Sequence, residues 1–334
     1  MSDITKVALD AMGGDNAPKE IVKGAVEAVK LRQDIKVLLT GQEEVLKKEL
    51  SEYTYPKDQI EIVNATEVIE TAEPPVMAIR RKKDSSIVVA MNLVKKKEAD
   101  AFVSAGSTGA VLVGGQVLVG RIKGVERPPL APLMPTLKGV SLLIDCGANV
   151  DARPSHLVQF AKMGSIYMEH VMGKKNPTVG IVNIGAEEEK GNELYRTVHQ
   201  KLKASPLNFV GNIEPRDILS GEADVLVCDG FSGNMVLKSM EGTVGYLMTQ
   251  IQSALMGSLK TKLGALVIKD ARRKVKHSMD YTEYGGAPLL GVDGVVIKAH
   301  GNSTARSFAN AMDQVVHCVT MDVPGRIQKV LAEE

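Results

Sequence analysis

This chain of 334 residues contains no tryptophan, and only 4% of it is aromatic. That scarcity removes the stacking platforms on which single-stranded nucleic acid is held. It also lacks a dominant charge: 41 basic residues stand against 40 acidic ones, so no global field draws it to a polyanion. No nucleic-acid partner is expected. Three cysteines (Cys146, Cys228 and Cys318) are too few and too scattered for a disulfide frame or a zinc knuckle, which points to a reducing cytoplasm. No basic segment followed by an apolar core opens the chain, so a signal peptide is not expected. Two uncharged stretches, 101–120 and 242–259, are broken by Gly, Ser, Thr or Gln and are too polar to span a bilayer.

Familiar signatures are missing too. No G-x-G-x-x-G opens a strand–turn–helix unit, and there is no G-x-x-x-x-G-K-[ST], so dinucleotide and nucleoside triphosphate use lose their main support. No G-x-S-x-G elbow supplies a serine nucleophile. Asp10, Asp15, Asp145, Asp151 and Asp229 sit near turns without spaced His or Cys, so no metal site is expected. Aspartates in such places ordinarily bond nearby amides. Cys146 and Cys228 fall at strand ends where an acyl-cysteine is conceivable, but small buried cysteines are commonly structural.

What is present is a repeated vocabulary of turns. Apolar runs end in Gly, Asn, Ser and Asp at 8–15, 104–110, 145–151, 183–192, 229–234, 284–287 and 298–303. In an open α/β sheet, ligands bind where the carboxyl ends of strands meet. Glycines let amides approach an anion closely there, and a following helix adds its positive end. The expected chemistry is that of one composite, phosphate-friendly crevice.

Short β-rich runs at 5–10, 35–40, 60–63, 100–104, 140–145, 178–184, 207–211, 223–228 and 294–298 alternate with helical patterns at 18–32, 84–97, 107–121, 154–172, 189–203, 232–276 and 302–321. The alternation predicts an α/β fold, a three-layer α/β/α arrangement around a mostly parallel sheet. Residues 1–334 read as a single domain with two lobes, crossing over at the proline-rich 127–135 stretch. Asn16-Ala17-Pro18, Arg153-Pro154-Ser155 and Asn302-Ser303 mark helix starts.

The region from about 242 to 280 differs. Leu247, Ile251, Leu255, Leu259 and Leu263 recur every four residues, and Leu266 follows; such a stripe packs on a core or a twin subunit. From Lys260 to Lys276, seven residues are basic (Lys260, Lys262, Lys269, Arg272, Arg273, Lys274, Lys276) against one acid, Asp270. A projecting basic helical hairpin suits an anionic membrane surface or an acidic partner; a solvated charged face is the other reading. Among turn residues, Ser107, Thr108 and Gly109 form a candidate anion nest, while Lys190 and His300 stand at strand tips. His156, His170, His199, His277 and His317 fall inside helical patterns and read as structural.

Nine blocks together resemble the bacterial phosphate acyltransferases of phospholipid synthesis: VALDAMGGDNAP (7–18), AIRRKK (78–83), 104–110, GRIKGVERP (120–128), DCGANVD (145–151), NIGAEEEKGNEL (183–194), DGFSGN (229–234), YGGA (284–287) and IKAHGNS (297–303). They run in family order over essentially the whole chain. Ser107 stands where Asn is common in the family, Cys146 where Val is, and Ser232 where Thr is. None of these differences removes a charge.

The resemblance implies a fold similar to isocitrate and isopropylmalate dehydrogenases and to phosphate acetyltransferases. It implies a homodimer at the cytoplasmic face of the membrane, peripherally bound and needing no cofactor. The reaction would make acyl phosphate from an acyl-[acyl carrier protein] and inorganic phosphate, for use by a membrane glycerol-3-phosphate acyltransferase. Such chemistry needs no triad: phosphate is already ionised, and the leaving thiol has an ordinary pKa of about 8.5. Positioning and fixed donors suffice, each oxyanion donor being worth roughly 3 kcal/mol.

Lys190, Asn234 and His300 are then expected to be catalytic. Ser107, Thr108, Gly109, Asn149, Asp229, Asp10, Gly13 and Gly14 are expected to bind phosphate or thioester. Lys260, Lys262, Leu263, Leu266, Arg272 and Arg273 are expected to touch membrane or carrier, and the Arg80, Arg81, Lys82 and Lys83 run could also steer the carrier. The alternatives are an acetyltransferase-like enzyme using acyl-coenzyme A, a dehydrogenase of the same architecture, and a non-catalytic membrane scaffold.

Overall fold

The computed structural model describes residues 4–279 and 284–332, without the side chains of 276–278. Lys276 and His277 as side chains, and residue 280 at the end of the expected helical region, lie outside the described residues. In chain order the strands are β1 (Thr5–Asp10), β2 (Ile35–Gly41), β3 (Ile60–Asn64), β4 (Ala101–Ser104), β5 (Leu133–Thr136), β6 (Gly139–Ile144), β7 (Thr178–Val182), β8 (Asn208–Ile213), β9 (Val225–Val227), β10 (Ala287–Pro288) and β11 (Val295–Lys298).

The architecture is α/β with mostly parallel strands, as expected, and the strands divide between two sheets. One has the order β10-β11-β4-β1-β2-β3 and the other β5-β6-β9-β7-β8. Only β10 against β11 and β5 against β6 run antiparallel. The parallel strands read as unbroken apolar runs because both faces are covered; Leu142, Leu143 and Ile144 pair with Val225, Leu226 and Val227, all at most 1% exposed. One buried cluster contains side chains of both sheets, including Val7, Leu9, Val103, Leu142, Ile144 and Val227.

Two strands fall outside the sequence expectation. β5 lies at the end of the proline-rich stretch, and Pro135 is tolerated because β5 is an antiparallel edge strand. β10 has only two residues, too few for any periodicity.

The helices are α1 (Lys19–Leu31), α2 (Glu43–Ser51), α3 (Pro75–Arg81), α4 (Ser86–Lys95), α5 (Thr108–Gly114), α6 (Pro154–His170), α7 (Glu193–Lys203), α8 (Gly230–Met256), α9 (Leu259–Val267), α10 (Lys269–Ser278), α11 (Ala305–Thr320) and α12 (Val323–Ala332). α5 runs on into a π turn at Gly115–Val119. The continuous helix expected over 232–276 is three helices. α8 stops at Gly257, and Ser258 starts α9 afresh: its Oγ accepts the Thr261 amide, and its own amide donates back to Thr261 Oγ1.

Helix starts are also corrected in detail. Pro154 is the first residue of α6, as expected. The cap of α11 is Thr304, one residue beyond the expected Asn302-Ser303. Asn16 caps no helix; its amide ties two distant turns together instead.

Candidate active site

The carboxyl ends of β4 and β11 from one sheet, and of β6 and β9 from the other, open onto one cleft. Several side chains that face it come from those strand ends and the helices that follow them: Thr108, Cys146, Asn234, Lys238, Lys298 and His300, around a cavity of about 120 Å³. Asn16 Nδ2 donates to the carbonyls of Asn302 (3.2 Å) and Ser303 (3.3 Å), and the Asp15 amide donates to Gly301 at 2.8 Å. These bonds clamp the first turn of the chain onto the last.

On the first sheet's side, Asp10 is buried at the tip of β1. Its carboxylate accepts from Ser104 Oγ at 2.6 Å and from the Met12 amide at 3.1 Å. Burial raises its pKa against those hydrogen bonds. Asp10 therefore braces the β1 and β4 turns. Gly13 packs against Asp10 and Gly106, and Gly14 has φ of +107°, a backbone that L side chains avoid. Ser107 caps α5, its Oγ accepting the Ala110 amide at 3.4 Å. Thr108 is exposed at the cleft, and Gly109 lies against Pro75 of α3.

On the second sheet's side, Asp145 is a buried hub. It accepts from the amides of Leu130 (2.9 Å), Ala148 (3.2 Å) and Asn149 (2.7 Å). Asn149 Nδ2 donates to Asp145 Oδ2 and to the Pro128 carbonyl, both at 3.0 Å, so its amide holds the turn together. Asp229 caps α8: it accepts from the Ser232 amide (2.8 Å), Ser232 Oγ (2.9 Å) and Tyr195 OH (2.5 Å). Gly230 and Gly233 press the first turn of α8 onto residues 145–149, which brings Asn234 to the cleft beside Gly147. The Asn234 amide makes no hydrogen bond to another described residue.

The cations are not the ones the sequence pointed to. Lys190 is exposed, its aliphatic stem lies against Gly185, and it is not among the residues that line the cleft. Lys298 and Lys238 are. Lys298 is only 8% exposed, its ammonium donating to the carbonyls of Ala105 and Ala299. Burial lowers its pKa to about 8, while the carboxylates of Asp10 and Asp15 oppose that shift. The sequence marks the 298–303 turn but assigns no role to Lys298, because a lysine ending a strand reads as a solvated residue.

Lys238 Nζ donates to Glu241 Oε2 at 2.7 Å, and the other carboxylate oxygen lies 4.0 Å from His300 Nε2. His300 Nδ1 is 2.7 Å from Asn302 Oδ1. The one thiol at the cleft, Cys146, is 3% exposed, and burial pushes it well above the usual thiol range, as it does Cys228. A protonated, buried thiol is a poor nucleophile. The arrangement offers two cations, an uncommitted amide and a hydroxyl around a small cavity, and the thiol beside them is not activated as a nucleophile.

Lys260, Lys262, Leu263, Leu266, Arg272 and Arg273 are all exposed on α9 and α10, away from this cleft's lining. Leu259 is 80% and Val267 86% exposed. Among the described residues no helix is long and apolar enough to cross a membrane.

Comparison with known proteins places this geometry. Solved structures of similar fold include a phosphotransacetylase from Streptococcus pyogenes (TM-score 0.63, 16% identity, covering 95% of this chain and 94% of that one). A 4-hydroxythreonine-4-phosphate dehydrogenase from Klebsiella pneumoniae follows at TM-score 0.52 and 14% identity, covering 96% of this chain and 100% of that one. At such identities the likeness concerns the fold. Sequence relatives are much nearer. The phosphate acyltransferase of Clostridium novyi is 53% identical over 93% of this chain and 94% of its own. That of Clostridium acetobutylicum is 50% identical over 98% of this chain and 99% of its own. The model of a family described as "Fatty acid synthesis protein" matches residues 5–326. With that match and about 50% identity along nearly its whole length, the chain belongs to the phosphate acyltransferase family and is an acyltransferase.

Proposed function

We propose that the protein moves an acyl group from the thioester of an acyl carrier protein to inorganic phosphate. A phosphate oxygen attacks the thioester carbonyl carbon, a tetrahedral oxyanion forms, and the C–S bond breaks. Acyl phosphate and the carrier's thiolate result, and the thiolate takes up a proton. The observation that carries this reading is the cleft's composition: the buried Lys298, the Lys238–Glu241 pair, neutral donors, and one thiol that burial keeps from ionising. Such a site suits a nucleophile that arrives already ionised.

Lys298 takes the charge-neutralising role that the sequence suggested for Lys190, with Lys238, paired to Glu241, beside it. Thr108 and the Ser107–Gly109 turn bind phosphate. Asn234 donates to the oxyanion, and His300 donates to phosphate or to the departing thiolate. Asp10, Gly13, Gly14, Asn149 and Asp229 hold the turns that carry these donors.

An acidic carrier is steered by Arg80, Arg81 and Lys83, which are exposed on or beside α3. That helix packs on α5 through Pro75 and Gly109, next to the phosphate turn. Lys82 is occupied with Glu73 at 2.6 Å. The exposed α9–α10 region meets an anionic membrane surface, where each basic residue contributes about 1 kcal/mol. The protein acts there as a homodimer in the cytoplasm, and a membrane glycerol-3-phosphate acyltransferase consumes the acyl phosphate.

The test mixes purified protein, a long-chain acyl carrier protein and phosphate, traps product with hydroxylamine and counts released thiol. Phosphate-dependent hydroxamate with matching thiol is the expected result. No product from a properly acylated carrier would overturn the reading. Equal turnover of a short acyl-coenzyme A would favour the coenzyme A alternative.

A further inference from the structure

Beside the cleft lies a larger cavity of about 460 Å³. Met134 of β5, Leu137 of the following turn, Leu219, and Met240 and Val244 of α8 wall it with apolar surface. The Leu137 amide donates to the Leu219 carbonyl at 2.9 Å and holds these two lining segments together. Apart from Thr136 and Asn302, its polar residues are Glu241 and His300. Those two, with Leu237, also line the cleft, so the two cavities share a mouth.

We propose that this groove holds the acyl chain of the substrate, with the thioester carbonyl at the mouth between His300 and Asn234. The inference rests on the acyl-phosphate reading above. Three observations carry it. The groove is continuous with the site of reaction. Its polarity falls away from that mouth, as the polarity of a thioester falls along its chain. Its size also fits: at about 460 Å³ it is nearly four times the volume of the cleft, room for a substituent much larger than the reacting thioester. Methionines in the wall are unbranched and polarizable, and so conform to a flexible alkyl chain.

The experiment compares phosphate-dependent thiol release from butyryl- and palmitoyl-carrier protein, using the full chain. In the wild type kcat/KM should rise by about fourfold for each methylene that enters the groove. Val244→Trp and Leu219→Trp block it from separate elements, and each should lower the palmitoyl-to-butyryl ratio at least about tenfold. The ratio is internal to each variant, so a loss of folded protein cancels. Wild-type ratios in both variants would overturn the groove while leaving acyl-phosphate formation standing. Absence of thiol release at every chain length in the wild type would overturn that reading and the groove's occupant with it. Photocrosslinking of a palmitoyl-carrier protein with a diazirine at the chain end covers variants that do not fold. Label in 134–137 and 237–244 is expected; label confined to 259–267 would overturn the proposal.

Discussion

A methyl group on Gly233 would overlap the carbonyl oxygen of Asp145, 88 residues earlier in the chain and in the other wall of the same turn cluster. α8 can start where it does only because its first turn carries no side chain at that point. The same Cβ would also lie 2.7 Å from Cys228 Sγ.

Gly233→Ala should therefore lower the melting temperature by several degrees, since overpacking of this kind costs about 1–3 kcal/mol. Turnover should fall with it, because the displaced helix carries Asn234 and Lys238. Thermal melting beside an activity assay checks this; a variant that melts like the wild type would refute the close packing.

Lys298→Met keeps the length of the side chain and removes its charge. kcat/KM for phosphate should drop at least about tenfold, chiefly through a raised KM. Lys190→Ala should do less harm than Lys298→Met. An equal or larger loss at Lys190 would show that the 183–192 turn closes over the substrate.

The pH dependence of Lys298 has opposite signs for activity and stability. Burial holds its pKa at about 8 in the folded chain, below the ordinary 10.5. Above pH 8 the cation is lost, so kcat/KM for phosphate should fall. The unfolded chain binds the extra proton between about pH 8 and 10.5, so this group's contribution to stability rises with pH there. Activity falling while this lysine favours the folded state separates titration from unfolding. Lys298→Met should abolish both trends, measured by pH–rate profiles and denaturant midpoints.

Cys146→Ala should keep turnover within about threefold of wild type, because a protonated buried thiol forms no acyl-enzyme. Trapping of an acylated Cys146 by mass spectrometry would refute direct attack by phosphate.

Reversal of Arg272 and Arg273 to Glu should abolish binding to anionic vesicles while leaving turnover of soluble substrate intact, the two residues being exposed on α10. Flotation with phosphatidylglycerol vesicles reads this directly, and unchanged flotation would remove lipid from the role of this region.

The parallel strands were legible in the sequence because a strand buried on both faces needs apolar residues throughout, as in Leu142–Ile144 and Val225–Val227. Turns after those strands were legible because close backbone approach leaves few residue types besides Gly, Asn, Ser and Asp. From these and from the nine ordered blocks, the α/β class, the family and the cleft's place at the strand ends followed from sequence alone. β5 was hidden by its prolines, which an edge strand accepts and a central one would not. The break of the long helical stripe at Gly257 and Ser258 was hidden because local capping interrupts a periodicity that continues on either side.

Only the tertiary structure decided which donors face the cleft. Lys298 is buried because Asp10, Ala105 and the turn after β11 close around it, a partnership with residues 193 or more positions away that no local pattern encodes. Asn149 and Asp229, expected to bind phosphate or thioester, are engaged by Asp145, Pro128, Ser232 and Tyr195. Residue types at turns are dictated by the backbone they must accommodate. Which of their polar atoms remain available to a substrate depends on neighbours brought by other elements.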